Sequence, residues 1–246
     1  MSRHKSSIVI ALAVAAALGL SACANNPNRR AEIGGGIGAV AGGLLGSQLG
    51  DSSGTNAAIG AALGALAGGG IGHYMDKQQQ ELNKKLAAQR ARNELNIQRL
   101  NQDTLKIGVA SDASFAVNSA TLNPNAQNTF NSIASVLKNY KKTAIHVVGF
   151  TDSTGSKQHN LKLSKERADA VAQFLESRGV NSQRVLTWAR GESEPVASNA
   201  TAAGRAKNRR VAIVIKPIVK GNEKAAFSAP PDLGNPKYEN TGNGNG

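Results

Sequence analysis

Asp152 stands where an apolar run, "AIHVVGF" (144–150), breaks into the turn "TDSTG" (151–155), and Arg167 follows in the next helix-forming segment. A carboxylate at a strand end and a guanidinium a short loop away can act in two ways. They can neutralise each other as a structural ion pair. Alternatively they stand apart and clamp a zwitterion, an ammonium on Asp152 and a carboxylate in the fork of Arg167. An amino-acid headgroup, with both charges on one carbon, suits the second arrangement. With Ser164 read as the start of the helix, Arg167 falls in the first turn, where the helix dipole and free N–H groups favour acids. A cation there calls for a fixed acid or a bound anion. Both side chains would face the crevice beyond the strand's carboxyl end, where open α/β sheets place ligands.

Other chemistries fit poorly. Asp152, His159 and Ser164 have the residue types of a hydrolytic triad, but no nucleophile elbow accompanies them. His73, His146 and His159 lack metal-ligand spacing, and there is one cysteine. No catalytic residue, metal or cofactor is therefore expected. His146 reads as a strand residue, and Trp188 in "RVLTWAR" as packing rather than a base-stacking platform.

The elements that must position the pair are legible from 103 to 219. "TLKIGVA" alternates Leu105, Ile107 and Val109 as a strand does. "NPNAQNTFNSIASVLKNY" opens with Asn123 as N-cap and Pro124 at the first helical position, then repeats apolar residues at helical spacing. "TAIHVVGF" reads as a buried strand. "LSKERADAVAQFLESRGV" places Ala168, Val171, Ala172 and Leu175 on one helix face and ends at Gly179. "RVLTWAR" and "VAIVIKPI" supply two further strands. The order β-α-β-α-β-β predicts an α/β sandwich with one core. Residues 220–246, rich in Gly, Asn and Pro, read as a disordered tail.

The N-terminal half is of another kind. A basic opening, the apolar run "IVIALAVAAALGL" and small residues before Cys23 predict a signal peptide over 1–22. "LSAC" resembles a bacterial lipobox, which makes Cys23, the sole cysteine, a lipidation site and 23–32 a lipidated linker. An exported chain has no internal use for an unpaired thiol. Glycines at 34, 38, 42, 46 and 50, then at 60, 64, 68 and 72, trace smooth stripes on two helices. They predict a glycine-zipper hairpin over 33–75, with arms near 33–50 and 57–75, that associates with a membrane or oligomerises. Residues 76–102, without Gly or Pro, predict a helical spacer of ~40 Å. The formal net charge of +13 favours an anionic partner. Export weighs against nucleic acid and leaves a lipid headgroup surface or a carboxylate-rich polymer.

"GFTDSTGSKQHNLKLSKERADAVAQFLESRGV", "ARGESEP" and "GRAKNRRVAI" together resemble the OmpA-like C-terminal domain, and the zipper behind a lipobox resembles a lipoprotein subgroup of that family. The resemblance runs from about 105 to 217 and matches T-D-x-x-G…N-x-x-L-S-x-x-R-A in order and spacing. It implies non-covalent binding of peptidoglycan through the meso-diaminopimelate of the stem peptide, with Asp152 on the ammonium and Arg167 on the carboxylate. Thr151, Asn160 and Asn118 fall on positions lining the pocket, and Asn208, Arg209 and Arg210 also match. The family's first loop often reads Phe-Asp-x-Asn; this chain has Phe115-Ala116-Val117-Asn118, so one acid is missing. Ala24 after the lipidated cysteine implies retention in the outer membrane of a Gram-negative bacterium, facing the periplasm. The resulting expectation is a tether between membrane and wall. The alternative makes the zipper a membrane-inserting or oligomerising element, with the wall domain as its anchor.

Overall fold

Five segments pair into one mixed sheet in the computed structural model, which describes residues 65–68, 70–116 and 118–239. The strands are β1 (Leu95–Arg99), β2 (Leu105–Ala110), β3 (Thr143–Phe150), β4 (Val185–Gly191) and β5 (Arg210–Pro217). Their order in the sheet is β1-β2-β5-β3-β4. Every neighbouring pair is antiparallel except β3 and β4, which run parallel. The helices are α1 (Gly70–Lys85), α2 (Ala87–Ala91), α3 (Pro124–Asn139), α4 (Lys157–Ser177), α5 (Ala202–Asn208), α6 (Glu223–Phe227) and α7 (Pro236–Glu239). No described helix is long and apolar enough to cross a membrane.

The predicted α/β sandwich is the fold observed. Asn123 caps α3, its side chain accepting from Ala126 N–H, with Pro124 at the first helical position. Helix α4 ends before Gly179, at φ 91°, which only glycine adopts without strain. Alternation along the strands sends Leu105, Ile107, Val109, Ile145, Val147, Val211, Ile213 and Ile215 to one face. There they meet Phe130, Ile133 and Leu137 of α3 and Ala168, Val171 and Leu175 of α4. Strand β3 is buried along its whole length because it is central and covered on both faces.

Three boundaries differ from expectation. The 76–102 spacer is part of the globule. Leu82 and Leu86 are fully buried in the main core, and residues 95–99 extend the sheet as β1 instead of continuing a helix. Asn93, at φ 56°, turns the chain so that β1 can cover the edge of β2. Second, the zipper arm expected to be helical over 57–75 is interrupted. Leu66 forms a parallel bridge with Val219, Gly68 lies at φ 57°, and α1 starts at Gly70 and runs through the expected boundary. The rest of the hairpin, the signal peptide and Cys23 lie outside the described residues.

Third, the segment after 219 is ordered up to 239. The sheet's second face presents Ala144, Val148, Phe150, Ala212 and Val214. The tail covers it with Ala226 and Leu233, both buried. Leaving that face bare would cost about 25 cal/mol per Å² of apolar surface, which offsets the weak propensity of a Gly/Asn/Pro-rich segment.

His146 lies under this cover, fully buried. Its Nδ1 accepts from Trp188 Nε1 at 3.0 Å, so the ring proton sits on Nε2, which donates to Ala226 O at 2.7 Å. Burial pushes the imidazole from the ordinary 6.5 down to about 4; the Ala226 carbonyl opposes that shift and nearby Lys216 adds to it. The unfolded chain binds this proton from about pH 6.5 downward, whereas the folded protein resists until about pH 4. Stability is therefore whole above pH 6.5 and falls through that window by about 3 kcal/mol. Urea unfolding of wild type and His146→Gln at pH 7 and pH 4 should show a smaller acid loss in the variant. Equal losses would place the acid sensitivity elsewhere.

Candidate functional site

Strand β3 delivers the site. At its end the register with β4 shifts between Gly149 and Phe150, and Thr151 N–H donates to Gly191 O at 2.8 Å. A Cβ on Gly149 would collide with the backbone carbonyl of Ser164, so glycine alone lets α4 lie directly on the strand there. Asp152 then turns the chain: its Oδ1 accepts Thr154 N–H at 2.8 Å, an Asx-type turn.

Helix α4 begins at Lys157, capped by Ser156, whose hydroxyl accepts His159 N–H. Ser164 is thus interior to the helix, where its Oγ accepts Gly191 N–H at 3.0 Å and donates to Leu161 O. That geometry leaves no hydrolytic triad with Asp152 and His159. It also removes the dipole argument for Arg167, which lies midway along α4. What distinguishes Arg167 is burial at 3 % exposure. Its Nε donates to Ser119 O at 3.0 Å, its guanidinium carbon lies 5.2 Å from the centre of the Phe115 ring, and its Nη1 is buried without a partner. Burial pushes its pKa down; Asp112 and Asp152 pull it up and Arg209 reinforces the depression.

All five expected ligand residues, Asp152, Arg167, Asn160, Thr151 and Asn118, line one cavity of about 570 Å³. Asn118 reaches it from a left-handed turn at φ 53°. Asn160 is buried in the first turn of α4 and donates to Asp152 O at 3.2 Å and to the Glu192 carboxylate. Thr151 Oγ1 is buried without a partner. Ala116, where the family pattern often has Asp, also lines the wall.

The ion pair of Asp152 is not with Arg167. Its Oδ2 takes Arg209 Nη1 at 2.6 Å, and Arg209 simultaneously forks onto Asp112, with Nε 2.8 Å from Oδ1. Burial raises the Asp152 pKa, but hydrogen bonds from Arg209 and Thr154 outweigh it and hold the carboxyl below its ordinary value. Arg209 is held above its own, first by the Asp112 hydrogen bond, against burial. Asp112 was not expected at the site. The β2–β5 register pairs Ala110 with Arg210, and Ser111 N–H donates to Arg209 O, so Asp112 and Arg209 meet only once those strands pair.

The other matched residues divide by role. Asn208, fully buried, accepts from Val196 and Ala197 N–H and donates to Ala197 O, tying down the loop before α5. Arg210 lies on the opposite sheet face, 3.6 Å from the Phe150 ring centre, and donates to Glu194 O and Leu233 O. Of the three, Arg209 alone lines the cavity.

The cavity therefore holds an ionised carboxylate beside a bridging guanidinium, and a second guanidinium with a buried N–H unused. Negative and positive groups thus face one cavity from separate walls. This fold and site define the class: the chain belongs to the OmpA family, whose sequence model matches residues 114–209. A YMGG-like Gly-zipper model matches residues 1–76. The probable lipoprotein YiaD of Escherichia coli K12 is 40% identical over 218 residues, 85% of this chain and 97% of that protein. The peptidoglycan-binding protein ArfA of Mycobacterium tuberculosis H37Rv is 39% identical over 114 residues, covering 46% of this chain and 35% of ArfA. Among solved structures, the cell wall anchor of the T6SS from Pseudomonas aeruginosa aligns with a TM-score of 0.51 at 31% identity, over 55% of this chain and 96% of that one.

Proposed function

We propose that the chain is a non-catalytic, lipid-anchored protein that binds peptidoglycan through the free D-centre of meso-diaminopimelate and so tethers the outer membrane to the wall. The unused, buried Nη1 of Arg167 carries this reading. A buried charged donor without a partner is costly unless a ligand oxygen completes it. The diaminopimelate carboxylate does so, while its ammonium takes the lone pairs of Asp152 that Thr154 and Arg209 leave free. The names of the relatives, a lipoprotein, a peptidoglycan-binding protein and a cell wall anchor, support the same reading. Lipidation at Cys23, with Ala24 after it, supplies the membrane end. The glycine-zipper match supports a second contact with the membrane, or with further copies of the chain, by that segment.

The test is competition. The full chain should sediment with purified sacculi and be released by free meso-diaminopimelate, but not by cadaverine, which has the ammonium groups without a carboxylate. Release by both, or by neither, would count against a zwitterion clamp.

A further inference from the structure

A second cavity, of about 730 Å³, adjoins the first. The two share a wall. Asn160 lines the first cavity and donates to the carboxylate of Glu192, which lines the second. Ser153, next to Asp152, lines the second cavity and donates its N–H to Asn199 Oδ1.

Its remaining groups have a definite character. Glu192 is engaged by Asn160, and Arg190 by Glu194 at 3.2 Å and by Pro230 O. Lys157, at the start of α4, has no hydrogen bond or ion pair among the described residues. Beside it Leu161 is 51% exposed, the one large hydrophobic residue so exposed among those described. Tyr238, from α7, forms the opposite wall. That wall is built and not incidental. Leu233 N–H donates to Glu194 Oε2 at 2.9 Å, Asn235 N–H donates to Pro195 O at 2.9 Å, and Arg210 donates to Leu233 O. All of 229–239 lies beyond the residues matched by the OmpA family model.

We infer that this second cavity receives the peptide that continues from the zwitterionic headgroup, with Lys157 on one of its carboxylates and Leu161 and Tyr238 covering its small apolar side chains. An unpaired cation beside an apolar ledge complements an anionic peptide more closely than it does a neutral sugar. The C-terminal segment thereby extends recognition from one residue of the wall polymer to its neighbours. This inference rests on the proposed function above.

Calorimetry of the full chain in detergent separates the two. The probes are free meso-diaminopimelate, the tripeptide L-Ala-γ-D-Glu-meso-diaminopimelate, and the same tripeptide carrying its disaccharide. The tripeptide should bind about fivefold more tightly than the free diamino acid, the scale of one exposed charge pair with some apolar cover. Lys157→Gln and Tyr238→Ala should each reduce that gain while affinity for free meso-diaminopimelate is unchanged, and the disaccharide should add nothing. Equal affinity for the first two probes, a gain that survives in both variants, or a gain that needs the sugars would overturn the second cavity alone. Failure of free meso-diaminopimelate to bind would overturn the clamp and this inference with it.

Discussion

Arg167→Gln should lower binding to sacculi at least tenfold, with a melting transition that stays cooperative. On the proposed reading the lost interaction is a charge-assisted hydrogen bond to a carboxylate in a buried setting, worth about 1.5–3 kcal/mol, or roughly 10- to 100-fold in affinity. Glutamine is the informative replacement, because its amide can still donate to Ser119 O while lacking the charge and the second arm of the fork. Removing a buried charge that has no acid within ion-pair distance relieves desolvation as well as losing contact with Phe115, so folding should change little. Asp152→Asn should weaken binding similarly, since Arg209 keeps its fork on Asp112 and remains in the cavity. Sedimentation with sacculi and a thermal melt read both effects. A variant that unfolds would assign Arg167 to the scaffold, and undiminished binding by both variants would remove the clamp altogether.

The largest effect on stability should come from Arg184. It is 1% exposed and closes the turn Ser182–Arg184 before β4. Its guanidinium donates to Thr143 O at 2.7 Å, Leu137 O at 3.1 Å, Tyr140 O at 2.8 Å and Thr143 Oγ1 at 3.0 Å. Those acceptors lie at the end of α3 and the start of β3, so one side chain satisfies the helix's last carbonyls and fixes the strand entry. Burial lowers its pKa to about 10, with Tyr74 opposing, which leaves it charged at neutral pH. Arg184→Met fills much of the volume but strands several carbonyls at about 1–3 kcal/mol each. Part of that returns because no buried charge must be desolvated. A net loss of about 3 kcal/mol follows, a large share of the 5–15 kcal/mol that holds a domain together. Urea unfolding measures it, and a loss under 1 kcal/mol would mean water replaces the guanidinium.

Much of this is legible in the sequence. Asn123-Pro124 announces a helix start, and Gly179 a helix end. The β-branched run before "TDSTG" is a central strand because nothing polar but His146 interrupts it. The five expected ligand residues converge because the end of β3, one face of α4 and the loop after β2 meet at one edge of an α/β sheet. What was hidden depends on tertiary context. "LNIQR" has no strand signature amid good helix formers and becomes β1 only because β2 offers an open edge. Ser164 resembles a cap as well as Ser156 does. The turn at Gly155, φ 95°, decides between them. Asp112 and Arg184 look like ordinary surface charges in sequence; the strand register and the helix end they close give them their roles. The tail lacks propensity and is ordered by the apolar face beneath it.

The bridge at Leu66 has a mechanical consequence. Leu66 N–H donates to Ile218 O at 2.8 Å and Lys220 N–H to Leu66 O at 2.9 Å, so the N-terminal segment is sewn to the sheet just past the end of β5. The ligand cavity lies at the opposite pole, beyond Phe150. Strands β3 and β5 run antiparallel between those poles, from Thr143 opposite Pro217 to Phe150 opposite Arg210, a span of about 25 Å. A pull between wall and membrane would therefore run along these strands and strain their hydrogen bonds together, in shear, instead of peeling them apart one at a time. Under the proposed tethering, load would fall across many strand hydrogen bonds at once.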